Sequence, residues 1–179
     1  MVVESEANLV EAAQEGHLGS FAGLYERYYS SMVALAYSEL ADAQLSEDAA
    51  QEAFAIACRD LAKLRSKDKF AAWLAGICRN VARQMSRSKA KAVAQYEEAR
   101  TGNEKDDYRD LVLRAVWKLR ASEREPIVLR YYDNMAYEQI ACVLGISAQA
   151  VHGRLTRAKR KIAAYLRGNG FRGSGYERG

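Results

Sequence analysis

The first half of the chain carries apolar residues at steps of three and four, a spacing that places them on one face of an α-helix. This pattern predicts a first helix over residues 18–40. A second helix is predicted from Ser46, as its N-cap, to about residue 63, with acidic side chains in the first turn. The third, over about residues 69–88, has the most regular apolar stripe, formed by Phe70, Trp73, Leu74, Ile77, Val81 and Met85.

The helical pattern weakens after residue 88. Residues 88–109 carry few large apolar side chains and contain a Thr-Gly-Asn break, which is typical of a linker. Order resumes at Asp110, and a further helix is predicted at Ser122 and Glu125, whose spacing is that of a capping box, with Pro126 in its first turn. The apolar positions between the linker and this capping box are Leu113, Val116, Trp117 and Leu119.

The last third of the chain has the order of a helix-turn-helix. A short helix is predicted over residues 137–144, Gly145 forms the corner, and Ser147 caps a longer helix that runs to about residue 167. The remaining "GNGFRGSGYERG" is rich in glycine and is predicted to be a disordered tail.

No segment has the alternating pattern of a β-strand, so the sequence predicts an all-α fold. We expect two small helical domains, at residues 1–88 and 110–168. A flexible linker at residues 89–109 would join them, and the tail at residues 169–179 would follow.

Composition narrows the classes of protein that the chain can be. Hydrophobic residues make up 49% of its 179 residues, which is enough for packed cores. The acidic N-terminus lacks the features of a secretory signal, and no apolar run approaches the roughly 20 residues that cross a bilayer. Cys58, Cys78 and Cys142 lack metal-ligand spacing and are predicted to be small buried side chains in a reducing compartment. We therefore expect a cytoplasmic protein without membrane contact, metal or cofactor.

The net charge of +4 conceals a strong segregation along the chain. Residues 1–62 hold 2 basic and 11 acidic side chains, whereas residues 63–91 hold 9 basic and 1 acidic. Residues 92–138 are nearly balanced, and residues 139–179 hold 8 basic and 1 acidic. Two separate basic blocks indicate two contacts with a polyanion, and the acidic block indicates a surface for another partner.

The second helix of the helix-turn-helix has one apolar and one polar face. Small, amide and cationic side chains on the polar face suit a helix that lies in a DNA major groove and also contacts phosphates. An ordinary helical hairpin with a solvated basic side is the simpler alternative, and His152 alone is more often an incidental surface histidine. The candidate DNA-binding residues are Gln149, His152, Gly153, Thr156, Arg157 and Arg160.

The third predicted helix also has a polar face opposite its apolar stripe. Four consecutive turns of this face contain no acidic residue, which suits contact with a nucleic-acid strand. The residues that recur there are Gly76, Arg79, Asn80, Arg83 and Arg87.

Four stretches together resemble the small extracytoplasmic-function sigma factors of the sigma-70 family. "FAGLYERYYSSMVALAYSEL", "SEDAAQEAFAIACRDL" and "KFAAWLAGICRNVARQMSRS" resemble successive helices of the conserved region two of that family. "LRASEREPIVLRYYDNMAYEQIACVLGISAQAVHGRLTRAKRKI" resembles its region four. The resemblance covers about residues 8–167, in the right order and with a linker between the two regions. Ala136 departs from the pattern, because the family usually has a capping serine or threonine there.

The resemblance implies that the chain binds core RNA polymerase and directs it to promoters. It implies that the polar face of the second helix, Asp48, Gln51 and Glu52, contacts the clamp helices of the largest polymerase subunit. It also implies that region four reads the −35 element with His152, Gly153, Thr156 and Arg157, and that the helices before them meet the polymerase flap. An anti-sigma factor is a further partner that the resemblance leaves open.

For the −10 element, the resemblance implies a loop that shapes a pocket for a flipped-out base. The basic face of the third helix would then lie along the melted strand. The loop residues are Lys63, Arg65, Ser66, Lys67, Asp68 and Lys69, and the helix residues are Arg79, Asn80, Arg83 and Arg87.

Two other functions compete with this interpretation. A stand-alone helix-turn-helix regulator would explain residues 137–162, but it leaves the first basic helix and the acidic second helix without a purpose. An enzyme such as a recombinase would need grouped carboxylates or an activated serine or tyrosine. The carboxylates fall on amphipathic surfaces and no glycine-rich phosphate loop occurs, so we expect a protein that is not an enzyme.

Overall fold

The structure is a computed structural model that describes residues 5–94 and 108–170, and these ranges contain eight α-helices and no strand. The all-α fold predicted from the sequence is therefore confirmed. Two short 3-10 turns, Leu61–Lys63 and Lys67–Lys69, connect the third helix to the fourth. The helices are α1 (Glu6–Gln14), α2 (Leu18–Leu40), α3 (Ala43–Asp60), α4 (Phe70–Ala94), α5 (Tyr108–Trp117), α6 (Ala121–Tyr131), α7 (Tyr137–Leu144) and α8 (Ala148–Gly168).

Helices α2, α3 and α4 pack around a shared apolar core, and α1 packs against α2. Large side chains from α2 and α4, among them Leu24, Met32, Phe70 and Leu74, fill this core and have no exposed surface. Helix α3 contributes Phe54 and otherwise mainly small side chains, which allow the neighbouring helices to approach its backbone closely. Its alanines at 0% exposure are Ala49, Ala50, Ala53 and Ala57.

The start of α3 differs from the prediction. Asp42, not Ser46, is the N-cap, and its carboxylate accepts a hydrogen bond from the Leu45 N–H at 3.1 Å. Ser46 lies buried in the helix, where its hydroxyl donates to the Asp42 carbonyl. Both residue types are good caps. The earlier one prevails because the serine hydroxyl finds its acceptor one turn back inside the helix.

Helix α4 continues to Ala94, six residues beyond its predicted end, and α5 begins at Tyr108. The extension follows from the Lys and Ala residues after Ser88, which are strong helix formers with no Gly or Pro among them. Of the predicted linker, residues 95–107 lie outside the described residues, as do residues 171–179 of the predicted tail.

The predicted capping box at the start of α6 is wrong. The helix begins at Ala121 after Arg120, so Ser122 and Glu125 both lie within it, and Pro126 is in its interior. Glu125 is buried, and its carboxylate pairs with another helix instead of the N-terminal amides.

The helix-turn-helix is confirmed. Gly145 ends α7 in the left-handed conformation with φ of 65°, and a Cβ added there would lie 3.3 Å from the Ala72 Cβ. The left-handed backbone angle therefore favours glycine, and the close approach of α4 leaves little room for a side chain. Ser147 caps α8 by accepting a hydrogen bond from the Ala150 N–H at 3.1 Å. The angle between α7 and α8 is filled by Ile140, Val143, Val151 and Leu155, all buried.

Helix α7 lacks a capping hydroxyl at Ala136, as the sequence indicated. The side chain of Gln139 compensates in part, because its Oε1 accepts a hydrogen bond from the Ala136 N–H at 2.8 Å. This is the return half of a capping box, formed without the usual serine or threonine.

The two halves of the chain pack against each other, with α6 on α2 and α7 on α4. The Arg79 guanidinium forms two parallel hydrogen bonds with the Glu125 carboxylate, from Nε at 2.9 Å and from Nη2 at 3.2 Å. Arg124 donates from Nε to the Ser38 carbonyl at 2.5 Å. The relative placement of the halves was not predicted from the sequence.

Polar and aromatic contacts extend this interface. The Ser31 hydroxyl donates to the Asp133 carboxylate at 2.9 Å, and the rings of Tyr37 and Tyr132 stack with their centres 5.2 Å apart. The apolar residues of both halves form one continuous cluster, so the halves share a core across the interface.

The burial of Val151 makes a first testable prediction. Val151→Asp places a carboxylate where the side chain has 0% exposure, and an unpaired buried charge costs several kcal/mol. We expect loss of helical circular dichroism or a much lower thermal midpoint. Gln149→Asp, at an exposed position on the same helix, should shift stability by no more than about 0.5 kcal/mol. Equal midpoints for the two variants would contradict the packing.

Candidate nucleic-acid interface

The polar face of α8 lies in solvent over its first four turns. Val151, Leu155 and Ala158 hold the opposite side in the core, so the intervening positions point outward. A Cβ added to Gly153, which is half-buried, would lie 3.4 Å from Nη1 of Arg157, so the guanidinium lies against the helix backbone. The other predicted residues of this face are all exposed: Gln149, His152, Thr156, Arg157 and Arg160.

Two further cations of α8 are engaged with the protein itself. Lys161 donates two hydrogen bonds of 2.7 Å to the carboxylate of Glu123, and these hydrogen bonds lower the pKa of Glu123. Lys159 lies over the ring of Tyr131 in a cation–π contact, with Nζ 5.4 Å from the ring centre. Both cations therefore hold α8 against α6.

The basic face of α4 is divided by the structure. Asn80, Arg83 and Arg87 are exposed, as the helical spacing predicted. Arg79 is half-buried, and its guanidinium is occupied by Glu125 of α6. In this arrangement Arg79 is part of the interface between the halves, whereas the other three residues face solvent.

The loop between α3 and α4 is anchored by apolar residues at both ends. Leu61, Leu64 and Phe70 are buried. Among the predicted loop residues, Lys63 pairs with Asp60 at 2.9 Å, and Lys67 pairs with a residue of α1. The remaining ones are exposed: Arg65, Ser66, Asp68 and Lys69.

Sequence reasoning missed the contribution of α1 to this loop. The Gln14 side chain donates from Nε2 to the Leu61 carbonyl at 2.9 Å and to the Leu64 carbonyl at 3.0 Å. The apolar Leu9 and Val10 beside the acidic residues were the available signal that this segment is helical, because they lie on one face with Ala13.

The acidic face of α3 is exposed as predicted. Asp48, Gln51 and Glu52 lie three and four residues apart on one side of the helix, and all three are exposed. The buried alanines occupy the opposite side. An apolar groove between α3 and α4 adjoins Asp48 and is lined by Leu45 and Met85, among others.

A second apolar groove, of about 300 Å³, lies between α5, α6 and α8. Tyr131 at its rim is 60% exposed. The groove was not evident in the sequence, because it is built from side chains of three helices. Its apolar lining is formed by Val112, Val116, Ile127, Tyr131, Ile162, Ala163 and Leu166.

The three cysteines do not share one environment. Cys78 is buried, as predicted, and burial raises the pKa of its thiol to about 12. Cys58 and Cys142 are exposed, so the prediction of a buried side chain is wrong for these two. Each lies on an amphipathic helix at the margin of its apolar face, where spacing alone does not decide exposure.

The described parts of the chain hold no group of three His, Cys, Asp or Glu side chains suited to a metal ion. None of the described helices is both long and apolar enough to span a bilayer.

Comparison with known proteins assigns both halves to one family. Residues 24–92 match the family model of sigma-70 region 2, and residues 109–162 match that of sigma-70 region 4. The RNA polymerase sigma-H factor of Pseudomonas aeruginosa is 26% identical, over 89% of this chain and 92% of that protein. The ECF RNA polymerase sigma-E factor of Escherichia coli is 28% identical, over 86% of this chain and 90% of that protein.

A solved structure of CnrH in complex with the cytosolic domain of CnrY has a similar fold. Its TM-score is 0.63 at 27% identity, covering 93% of this chain and 99% of that chain. Both family regions thus occur in their expected order on an all-α chain. The chain therefore belongs to the extracytoplasmic-function group of the sigma-70 family and is an RNA polymerase sigma factor, which acts in transcription initiation.

Proposed function

We propose that this sigma factor divides promoter recognition between its two halves and docks on core polymerase through surfaces other than the two that bind DNA. Helix α8 would read the −35 element, the loop and α4 would bind the opened −10 element, and α3 would contact the clamp helices. The observation that carries the proposal is the exposure of the α8 face, whose opposite side is fully buried. The chain would act by binding alone, in the cytoplasm, where its polymerase and promoters are.

The α8 face has the side chains that base reading in a major groove needs. Arg157 offers paired donors to a base edge, Gln149 offers one donor and one acceptor, and Arg160 can contact phosphate. Gly153 and Thr156 are small, which permits close approach to the groove. The Ser147 cap uses one amide of the first turn and leaves others for a phosphate oxygen.

For the −10 element, the exposed residues of the loop and of α4 supply an amide, a hydroxyl and several cations. Along the chain, Asn80 follows the loop and precedes Arg83 and Arg87. Extruding a base costs a few kcal/mol, which contacts to the flipped base and to the backbone of the opened strand offset.

The polymerase contacts would be of two kinds. The carboxylates of Asp48 and Glu52 suit a basic partner surface such as the clamp helices. The apolar groove between α5, α6 and α8 suits an apolar helix, and we propose the polymerase flap as its occupant. An anti-sigma factor is a further proposed partner, on the ground of membership in this group of sigma factors.

The −35 assignment predicts the effect of Arg157→Ala. Loss of a base or phosphate contact should reduce the affinity of holoenzyme for the −35 element by about 1–3 kcal/mol. Footprinting on a promoter recovered with the holoenzyme measures the change. Arg167→Ala, an exposed arginine near the end of the same helix, serves as the matched control and should leave protection unchanged. Unchanged −35 protection and affinity in Arg157→Ala would refute the assignment.

The −10 assignment predicts that Asn80→Ala impairs opening and spares closed-complex binding. Asn80 is exposed, so the variant should fold normally. Permanganate reactivity of thymines near the start site should fall, while −35 protection on the same template stays at the wild-type level. Equal loss of closed and open complexes would contradict a role on the opened strand.

The docking assignment predicts that Asp48→Arg combined with Glu52→Arg abolishes co-purification with core polymerase. Reversal replaces attraction by repulsion across the interface, at several kcal/mol. Glu15→Arg combined with Glu26→Arg makes the same change in net charge at exposed positions of α2 and the end of α1, and it should leave assembly intact. Normal holoenzyme formation by the folded Asp48/Glu52 variant would rule out this face as the docking surface.

A further inference from the structure

Helix α1 is tied to the loop between α3 and α4 by one side-chain amide. Both hydrogens of the Gln14 amide are used, at 2.9 Å on the Leu61 carbonyl and at 3.0 Å on the Leu64 carbonyl. The Leu61 carbonyl also accepts the Leu64 N–H at 3.0 Å, within the 3-10 turn that follows α3. Gln14 therefore bridges two points of the loop backbone that are three residues apart.

Helix α1 is itself anchored to the core and to α2. Val10 has 0% exposure against the core, and Ser5 caps the helix by accepting a hydrogen bond from the Asn8 N–H at 3.2 Å. The Tyr28 hydroxyl donates to the Glu6 carboxylate, which joins the first turn of α1 to α2. The Gln14 amide thus extends from an element whose own position is fixed.

A second tie joins α1 to the other end of the loop. The Glu11 carboxylate pairs with Lys67, which lies in the second 3-10 turn. The Glu11 side chain is 57% exposed and the Lys67 side chain is 33% exposed, and exposed ion pairs contribute little to stability. The half-buried Gln14 bonds are therefore the stronger constraint on the loop.

The ties leave the outward side of the loop open. Arg65 and Ser66 follow the Gln14-bound carbonyls directly, and both are exposed. A loop whose backbone is already ordered binds a ligand without the entropy loss of ordering it at that moment.

We infer that Gln14 is a positioning residue for capture of a flipped-out −10 base, acting through the Leu61 and Leu64 carbonyls without touching the DNA. This inference rests on the proposed −10 role of the loop and adds to it a part of the chain outside the loop. Helix α1 then belongs to the promoter-opening apparatus as the support on which the base pocket is built.

The test uses full-length chain in holoenzyme and a single-stranded −10 oligonucleotide. The oligonucleotide is the non-template strand of a promoter recovered by sequencing the DNA that holoenzyme binds, with each base replaced in turn by an abasic site. At the captured base, wild-type holoenzyme should lose affinity by about tenfold on removal of the base. Gln14→Leu removes both donors at similar volume. In this variant the ratio of affinities for the intact and the abasic oligonucleotide should be close to one at that position alone.

Two further variants separate the hydrogen bonds from other effects. Gln14→Lys keeps a donor within reach of the two carbonyls and should keep the base-to-abasic ratio. Asn8→Leu makes the same amide-to-leucine change at an exposed position of α1 and should also keep it. If Gln14→Leu does not form holoenzyme, Gln14→Ala, which leaves room for water on the carbonyls, is measured in its place with the same expectation.

A wild-type ratio in Gln14→Leu or its Ala replacement would overturn the inference, because a purely structural bond would leave base discrimination unchanged. Loss of the ratio in Asn8→Leu would overturn it as well. A wild-type holoenzyme that shows no base-dependent position would instead refute the −10 role of the loop itself, whatever Gln14 does.

Discussion

The burial of α4 on more than one side determines how the rest of the chain is arranged. Its large apolar residues, such as Phe70 and Leu74, lie in the core with α2 and α3, and burial of each such side chain stabilises the fold by about 1.5–3 kcal/mol. Its small residues Ala71 and Ala75 also have 0% exposure, and α7 packs against the same helix. Over residues 70–82 only Asn80 is exposed, and Arg83 and Arg87 follow on the more open part of the helix. One helix therefore joins the two halves and also presents the basic face.

Local rules were sufficient wherever one helix and its caps decide the outcome. The bounds of α2, the corner at Gly145 and the cap at Ser147 follow from apolar spacing and from backbone preferences that neighbouring residues alone determine. The exposure of the candidate α8 residues follows in the same way, because a regular apolar stripe determines which side of the helix is buried and the opposite side then faces solvent. Contacts between distant residues are different: Arg79 has the same spacing as Arg83, yet only Arg79 meets Glu125, which is 46 residues away.

At the starts of α3 and α6, where prediction failed, the sequence offered more than one suitable local role and packing decided between them. Asp42 and Ser46 are both suitable caps, and the helix begins at the one that leaves the serine hydroxyl an internal acceptor. The spacing of Ser122 and Glu125 suits a capping box, but the carboxylate instead meets a guanidinium across the interface. The role of Gln14 depends on the loop folding back to α1, which no periodicity along the chain encodes.

The pairing of Arg79 with Glu125 has a thermodynamic consequence for everything that binds this face. A phosphate that binds the Arg79 guanidinium competes with the Glu125 carboxylate, which is already hydrogen-bonded to it at 2.9 Å and 3.2 Å. The observed affinity for phosphate is therefore the intrinsic affinity multiplied by the fraction of molecules in which the Arg79–Glu125 pair is open. The coupling is reciprocal. A partner that separates α4 from α6 raises the affinity of Arg79 for phosphate by a certain factor, and phosphate bound to Arg79 raises the affinity for that partner by the same factor. Binding at one half of the chain is thus linked to binding at the other through the Arg79–Glu125 ion pair.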